Sequence, residues 1–119
     1  MFEVRIETHF SSAHHLLNYK GACENQHGHN WKVEVFVKGE KLNESGILID
    51  FKMLKRYLNE VLKLIDHEDL NELSYFANTS PSSEVISRFI YTELKKNIPG
   101  LSKVVVWETE NACAAYFED

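Results

Sequence analysis

The stretch Cys23-Glu24-Asn25-Gln26-His27-Gly28-His29 brings a thiol and two imidazoles close together in the chain. In an extended backbone successive side chains point to opposite faces, so His27 and His29 aim to one side while Gly28 between them takes up little room. Two imidazoles on one face suit a metal ion. A third ligand has to come from a separate segment, and His14 and His15 upstream are near-equal candidates, since only one of the pair faces the site if the backbone is extended. His9 is a weaker candidate, read as an exposed strand residue. Three neutral histidines with one position left open form a ligand pattern of catalytic zinc, whereas structural zinc is usually closed by four ligands rich in Cys. Cys23 is then a thiol beside the metal, and spacing alone leaves open whether it is a fourth ligand or a bystander.

Two further places carry chemistry. Asp66-His67 ends a run of helical periodicity, so acidic residues crowd a helix C-terminus that favours cations, which is a mild sign of use. Glu108 shares a strand face with Val104 and Val106, and an inward carboxylate near a strand end requires a partner, for which a ligand qualifies.

The elements that must hold these groups follow from periodicity. Phe2, Val4, Ile6 and Thr8 alternate with Glu3, Arg5, Glu7 and His9, predicting a first strand from residue 2 to about 10. Ser11-Ser12-Ala13-His14 either continues that strand or opens a loop. Asn18-Tyr19-Lys20-Gly21-Ala22 reads as a polar loop. Trp31, Val33, Val35 and Val37 alternate with Lys32, Glu34, Phe36 and Lys38 in a second strand, so His27 and His29 stand at the mouth of a rigid element. Asp50 caps a helix whose apolar positions are Phe51, Leu54, Leu58, Val61, Leu62 and Ile65, ending near Asp66–Asn71. Ser80 as cap and Pro81 at the first helical position open a second helix with Val85, Ile86, Phe89, Ile90 and Leu94 on its apolar face. Lys103–Thr109 and Ala112–Phe117 read as two strands joined at Glu110-Asn111. The order strand, strand, helix, helix, strand, strand predicts an α+β fold, a four-stranded antiparallel sheet with both helices on one face. Its two uncovered edges favour oligomerisation.

Composition bounds the rest. A chain of 119 residues fits one domain, 1–119, with 44% hydrophobic and 26% charged residues. No apolar run approaches the roughly 20 residues of a spanning helix, so no membrane partner is expected. The N-terminus alternates apolar and charged residues and lacks the features of a signal peptide, giving a cytoplasmic expectation. A net charge of −5 argues against broad nucleic-acid binding, although a local pocket for a phosphorylated small molecule fits. Cys23 and Cys113 are too few for a disulfide framework and are expected to stay reduced.

Taken together, Ala13-His14 after a first strand, Cys23-x-x-x-His27-Gly28-His29, Asp66-His67-x-x-Leu70-Asn71, Pro81-x-x-Glu84 and Glu108-Thr109 closely resemble the 6-pyruvoyltetrahydropterin synthase and 6-carboxytetrahydropterin synthase family over nearly the whole chain. The three-residue spacer between Cys23 and His27 resembles the bacterial and archaeal 6-carboxytetrahydropterin synthases of queuosine and deazapurine synthesis. The resemblance implies His14, His27 and His29 as zinc ligands and Cys23 as the catalytic thiol. It also implies Asp66 and His67 as a catalytic pair and Glu108 as the anchor of the pterin's guanidine-like edge, with Ser82 and Ser83, where the family often has Thr, near that pocket. The implied substrate is 7,8-dihydroneopterin triphosphate. The implied fold is the tunnelling type (T-fold), whose subunits join edge to edge into trimers and hexamers with active sites between subunits, so Asp66 and His67 are expected to serve a neighbour's zinc.

Physical chemistry suits these roles: a three-histidine zinc is a Lewis acid with an open position, a thiolate near a cation forms readily, and a His oriented by an Asp passes protons. Two alternatives stand beside this reading. One is a pyruvoyl-type synthase or an aldolase acting on dihydroneopterin, distinguished by product. The other is a non-catalytic zinc-stabilised binding module with Cys23 as fourth ligand, for which Asp66, His67 and Glu108 have no use. Lys20, Lys32 and Arg88 are candidate phosphate partners on charge alone, and nothing in their spacing selects one of them.

Overall fold

The computed structural model describes residues 1–18 and 27–119, and of residue 27 the backbone alone. The described elements are β1 (Phe2–His14), β2 (His27–Gly39), α1 (Phe51–Leu62), α2 (Ser83–Lys95), β3 (Leu101–Thr109) and β4 (Ala112–Tyr116). The strands form one antiparallel sheet in the order β1-β2-β3-β4. Period-2 alternation puts Ile6, Phe10, Trp31, Val33, Val35, Val104 and Val106 on one face, and Leu54, Leu58, Ile86, Ile90 and Leu94 of the two helices pack into the same buried cluster. Both helices therefore cover one face, as expected, and the chain has the α+β architecture.

β1 and β2 pair over their whole length, with Phe10 opposite Trp31, Ser12 opposite His29 and His14 opposite His27. The open choice after residue 10 is thus resolved: the strand continues through Ser11–His14. In-facing parity carries Phe10, Ser12 and His14 inward, and His14 ends only 1% exposed. His15 lies beyond the strand end.

Two local expectations are corrected. α1 stops at Leu62, with Lys63 as its C-cap, so Asp66–Asn71 is not a helix end and its acidic residues do not oppose a helix dipole. Instead the backbone turns toward the outer edge of β1, where the His67 N–H donates to Ser11 O at 2.5 Å and the Ala13 N–H donates to Glu68 O at 3.0 Å. Short 3-10 turns at Leu70–Glu72 and Ser74–Phe76 follow. The second correction concerns the start of α2: Ser82, not Ser80, is the cap, its Oγ accepting from the Val85 N–H at 3.2 Å, and Pro81 stays outside the helix. The Ser80 hydroxyl is engaged elsewhere, accepting from the Leu17 N–H at 2.7 Å.

On the opposite face of the sheet Glu34 is buried and accepts from Arg5 Nε and Trp107 Nε1. Burial pushes its carboxyl up, but the bonds from Trp107 and Arg5, with the charges of Arg5 and Lys32, outweigh burial and hold it below the ordinary value of 4.5. None of the described helices is long and apolar enough to cross a membrane.

Candidate functional site

His14 closes β1, His29 is the third residue of β2 and Glu108 lies near the end of β3, so three adjacent strands bring these side chains to one end of the sheet. The Nε2 atoms of His14 and His29 lie 3.0 and 3.1 Å from the same atom, Oε1 of Glu108. One ligand atom from each residue falls within 4.8 Å of the others, a grouping able to hold a metal ion.

The tautomer of His14 follows from its neighbour. Its Nδ1 lies 2.7 Å from the carbonyl oxygen of Pro81, which only accepts, so Nδ1 carries the hydrogen. The neutral ring then presents the Nε2 lone pair to the Glu108 carboxylate. Two acceptors at that distance call for a positive charge between them, supplied by a proton or by a metal ion. Two imidazole nitrogens, one ring fixed from behind by a backbone carbonyl, suit zinc.

The Asp66–His67 pair stands beside this group. Asp66 Oδ1 lies 3.0 Å from His67 Nδ1 and also accepts the Ser11 N–H at 2.9 Å. The backbone of His67 is left-handed, φ +58°, a region that non-glycine residues enter rarely and often at functional sites. The Ser12 hydroxyl braces this turn by donating to Ile65 O and accepting the Glu68 N–H. Asn71 does the same for the end of β1: its Oδ1 accepts from the His15 N–H at 2.9 Å and its Nδ2 donates to His15 O at 3.1 Å. His67 and His29 line one open cleft of about 520 Å³, together with Gly28 and Asp69. A larger hollow of about 700 Å³ lies around Lys38, Lys95 and Phe117, and it is lined by none of the expected site residues.

Of the residues singled out in the sequence, His14, His29 and Glu108 meet directly, and His67, held by Asp66, lines the cleft that His29 also lines. Ser82 and Ser83 sit at the start of α2, next to the Pro81 carbonyl that holds His14, and the Ser82 hydroxyl is used as the helix cap. The His27 side chain, Cys23 and Lys20 lie outside the described residues. Lys32 stands over the Trp107 ring at 4.7 Å, on the far face of the sheet. Sequence reasoning missed Trp31, Pro81 and Ser12 as supports of the site. Trp31 had a signal, since it lies two residues beyond His29 and so shares its face. The Pro81 carbonyl is a backbone group and had none.

A family model described as 6-pyruvoyl tetrahydropterin synthase matches residues 3–119. The chain is 35% identical over 123 residues to a 6-carboxy-5,6,7,8-tetrahydropterin synthase from Synechocystis sp., covering 98% of this chain and 94% of that protein. It is also 35% identical over 118 residues to the 6-pyruvoyl tetrahydrobiopterin synthase of Homo sapiens, covering 94% of this chain and 81% of the human protein. Among solved structures, the 6-pyruvoyl tetrahydropterin synthase of Caenorhabditis elegans superposes with a TM-score of 0.91 at 28% identity, covering 99% of this chain and 96% of that one.

Proposed function

The chain belongs to the 6-pyruvoyl tetrahydropterin synthase family and has its T-fold, and on that premise we propose that it is a zinc-dependent 6-carboxy-5,6,7,8-tetrahydropterin synthase. In this reading it takes 7,8-dihydroneopterin triphosphate and releases triphosphate and acetaldehyde on the way to the 6-carboxy product, in queuosine and other deazapurine synthesis. The observation that carries the reading is the convergence of His14 and His29 on Glu108 beside a cleft that His67 also lines.

Zinc would be held by His14, His27 and His29, and when bound it supplies Lewis-acid polarisation of substrate hydroxyl groups. The protein's own groups do the rest. Cys23, as thiolate near that cation, is the base that removes a proton from the substrate side chain. His67 exchanges protons on the other side, with Asp66 fixing its Nδ1 and stabilising the imidazolium, so that Nε2 is left to work. Glu108 grips the donor edge of the pterin, a carboxylate suiting a guanidine-like pair of N–H groups. Ser82 and Ser83 border that pocket. The fold works as a cytoplasmic homo-oligomer whose sites lie between subunits.

A second reading is favoured by one observation: identity to the human pyruvoyl-type enzyme is the same 35%. The three-residue spacer between Cys23 and His27 weighs toward the carboxy branch. Incubating zinc-loaded protein with dihydroneopterin triphosphate decides between them. Acetaldehyde and a 6-carboxypterin are the expected products; a 6-pyruvoyl product without acetaldehyde overturns the carboxy assignment, and an unchanged substrate overturns the reading altogether.

A further inference from the structure

We propose that Trp31 is a positioning residue for the metal centre, setting the angle between the His14 and His29 imidazoles and tying both to the turn that carries Asp66 and His67. The proposal rests on the reading of these two histidines as metal ligands.

Trp31 is fully buried, and both rings lean on it. The His14 ring centroid is 4.8 Å away with the planes at 78°, and the His29 centroid is 5.2 Å away at 69°. The two imidazoles meet each other at 5.3 Å and 68°. Each pair is therefore edge-to-face, the arrangement that aromatic quadrupoles favour. A histidine's χ2 is a broad, soft torsion, so a ring held only by its covalent bonds swings its nitrogen through a wide arc. Metal binding penalises that freedom, because a ligand set must keep its geometry closely.

The indole in turn is held on several sides. Phe10, its cross-strand partner, stacks parallel to it at 5.9 Å and 6°. Its Nε1–H donates to Ser12 O at 3.2 Å. Ser12 is the residue whose hydroxyl braces the turn at Ile65 and Glu68. One side chain thus joins the imidazoles, through Ser12, to the turn that carries Asp66–His67, beside the backbone bonds of Ser11 and Ala13 to the same turn. A buried aliphatic of similar size would fill the space without the edge-to-face contacts or the N–H bond.

The test measures Zn²⁺ affinity by chelator competition, and the visible spectrum of the Co²⁺-loaded protein, for the full chain and three variants. Trp31→Leu is expected to weaken zinc binding by about 10- to 100-fold, the range for lost outer-sphere support, and to shift the cobalt bands. Trp31→Phe keeps a ring but loses the tie to Ser12, so it is expected to lose less than about tenfold and still to shift the bands. Leu58→Ala, a core truncation on α1, is expected to keep wild-type affinity and spectrum despite its lower stability. Wild-type affinity and an unchanged cobalt spectrum in both Trp31 variants overturn the proposal. So does an equal loss in Leu58→Ala, which would make the effect one of general stability. A wild-type protein that binds neither metal overturns the metal-centre reading itself, and the proposal with it. If Trp31→Leu does not fold, the cobalt spectrum of Trp31→Phe decides alone.

Discussion

Asp66 Oδ1 bridges His67 Nδ1, at 3.0 Å, and the backbone N–H of Ser11, at 2.9 Å, so one carboxylate oxygen fixes an imidazole and anchors it to β1. Removing the charge while keeping an oxygen separates the two jobs. Asp66→Asn retains the Ser11 bond but no longer stabilises an imidazolium. It is expected to lower kcat by about 10²- to 10⁴-fold, with zinc content and melting temperature near wild type. His67→Ala should match it in rate. A near-normal kcat in either variant removes the pair from the mechanism.

For Cys23 the expectation is a loss of rate without a loss of metal. Cys23→Ala is expected to keep one zinc per chain and to lose most turnover, by about 10²-fold or more. Wild-type turnover would sink the role of base, and zinc loss would identify the thiol as a structural ligand instead.

Glu108 touches both imidazoles, yet its proposed role concerns the pterin. Glu108→Gln keeps the shape and removes the charge that pairs with a guanidine-like edge. Steady-state kinetics are expected to show KM raised by roughly tenfold or more, equivalent to about 1.4 kcal/mol of lost binding, with zinc stoichiometry unchanged. Loss of the metal in this variant would mean that the carboxylate is a ligand.

Far from the site, the Glu34 carboxyl sits below its ordinary value of 4.5 because the bonds from Trp107 and Arg5 outweigh burial. A group whose folded-state value is depressed stabilises the fold above its unfolded value, and that stabilisation fades as pH falls through the folded value. Resistance of the wild-type protein to denaturant should therefore fall on acidification below about 4.5 more steeply than that of Glu34→Gln. Parallel pH profiles of the two proteins would show that the network contributes nothing through this proton.

Gly100 precedes β3, and its carbonyl accepts the Lys38 N–H at 3.0 Å. A methyl group there would come within 2.9 Å of the Lys38 carbonyl oxygen. Gly100→Ala must push two strand ends apart, and chemical denaturation should report a loss of about 1–3 kcal/mol.

Much of the scaffold was legible in the sequence because its causes are local. Alternation at Val33, Val35 and Val37 marks a strand wherever it occurs, and the spacing of Leu54, Leu58 and Leu62 marks a helix. What escaped was decided by partners distant in the chain. α1 ends early because the residues after it bond to Ser11 and Ala13, more than fifty positions away, and no capping rule looks that far. Ser80 and Ser82 are equal as caps on paper, and Leu17 takes the first out of contention. At the site, spacing alone paired His27 with His29 but left His14 and His15 open; the resemblance singled out His14, and the parity of a continuous β1 turns it inward. The nearness of Glu108 to those rings depended on three strands lying side by side.

The left-handed backbone of His67 sets the fold and the chemistry at odds. A left-handed conformation costs an ordinary L-residue about 1–2 kcal/mol, while glycine adopts it freely. By the needs of the turn alone, position 67 is a glycine position. His67→Gly should accordingly outlast the wild-type protein in a denaturant titration while turning over almost nothing; that pair of results would mark the residue as a point where stability has been given up for reactivity.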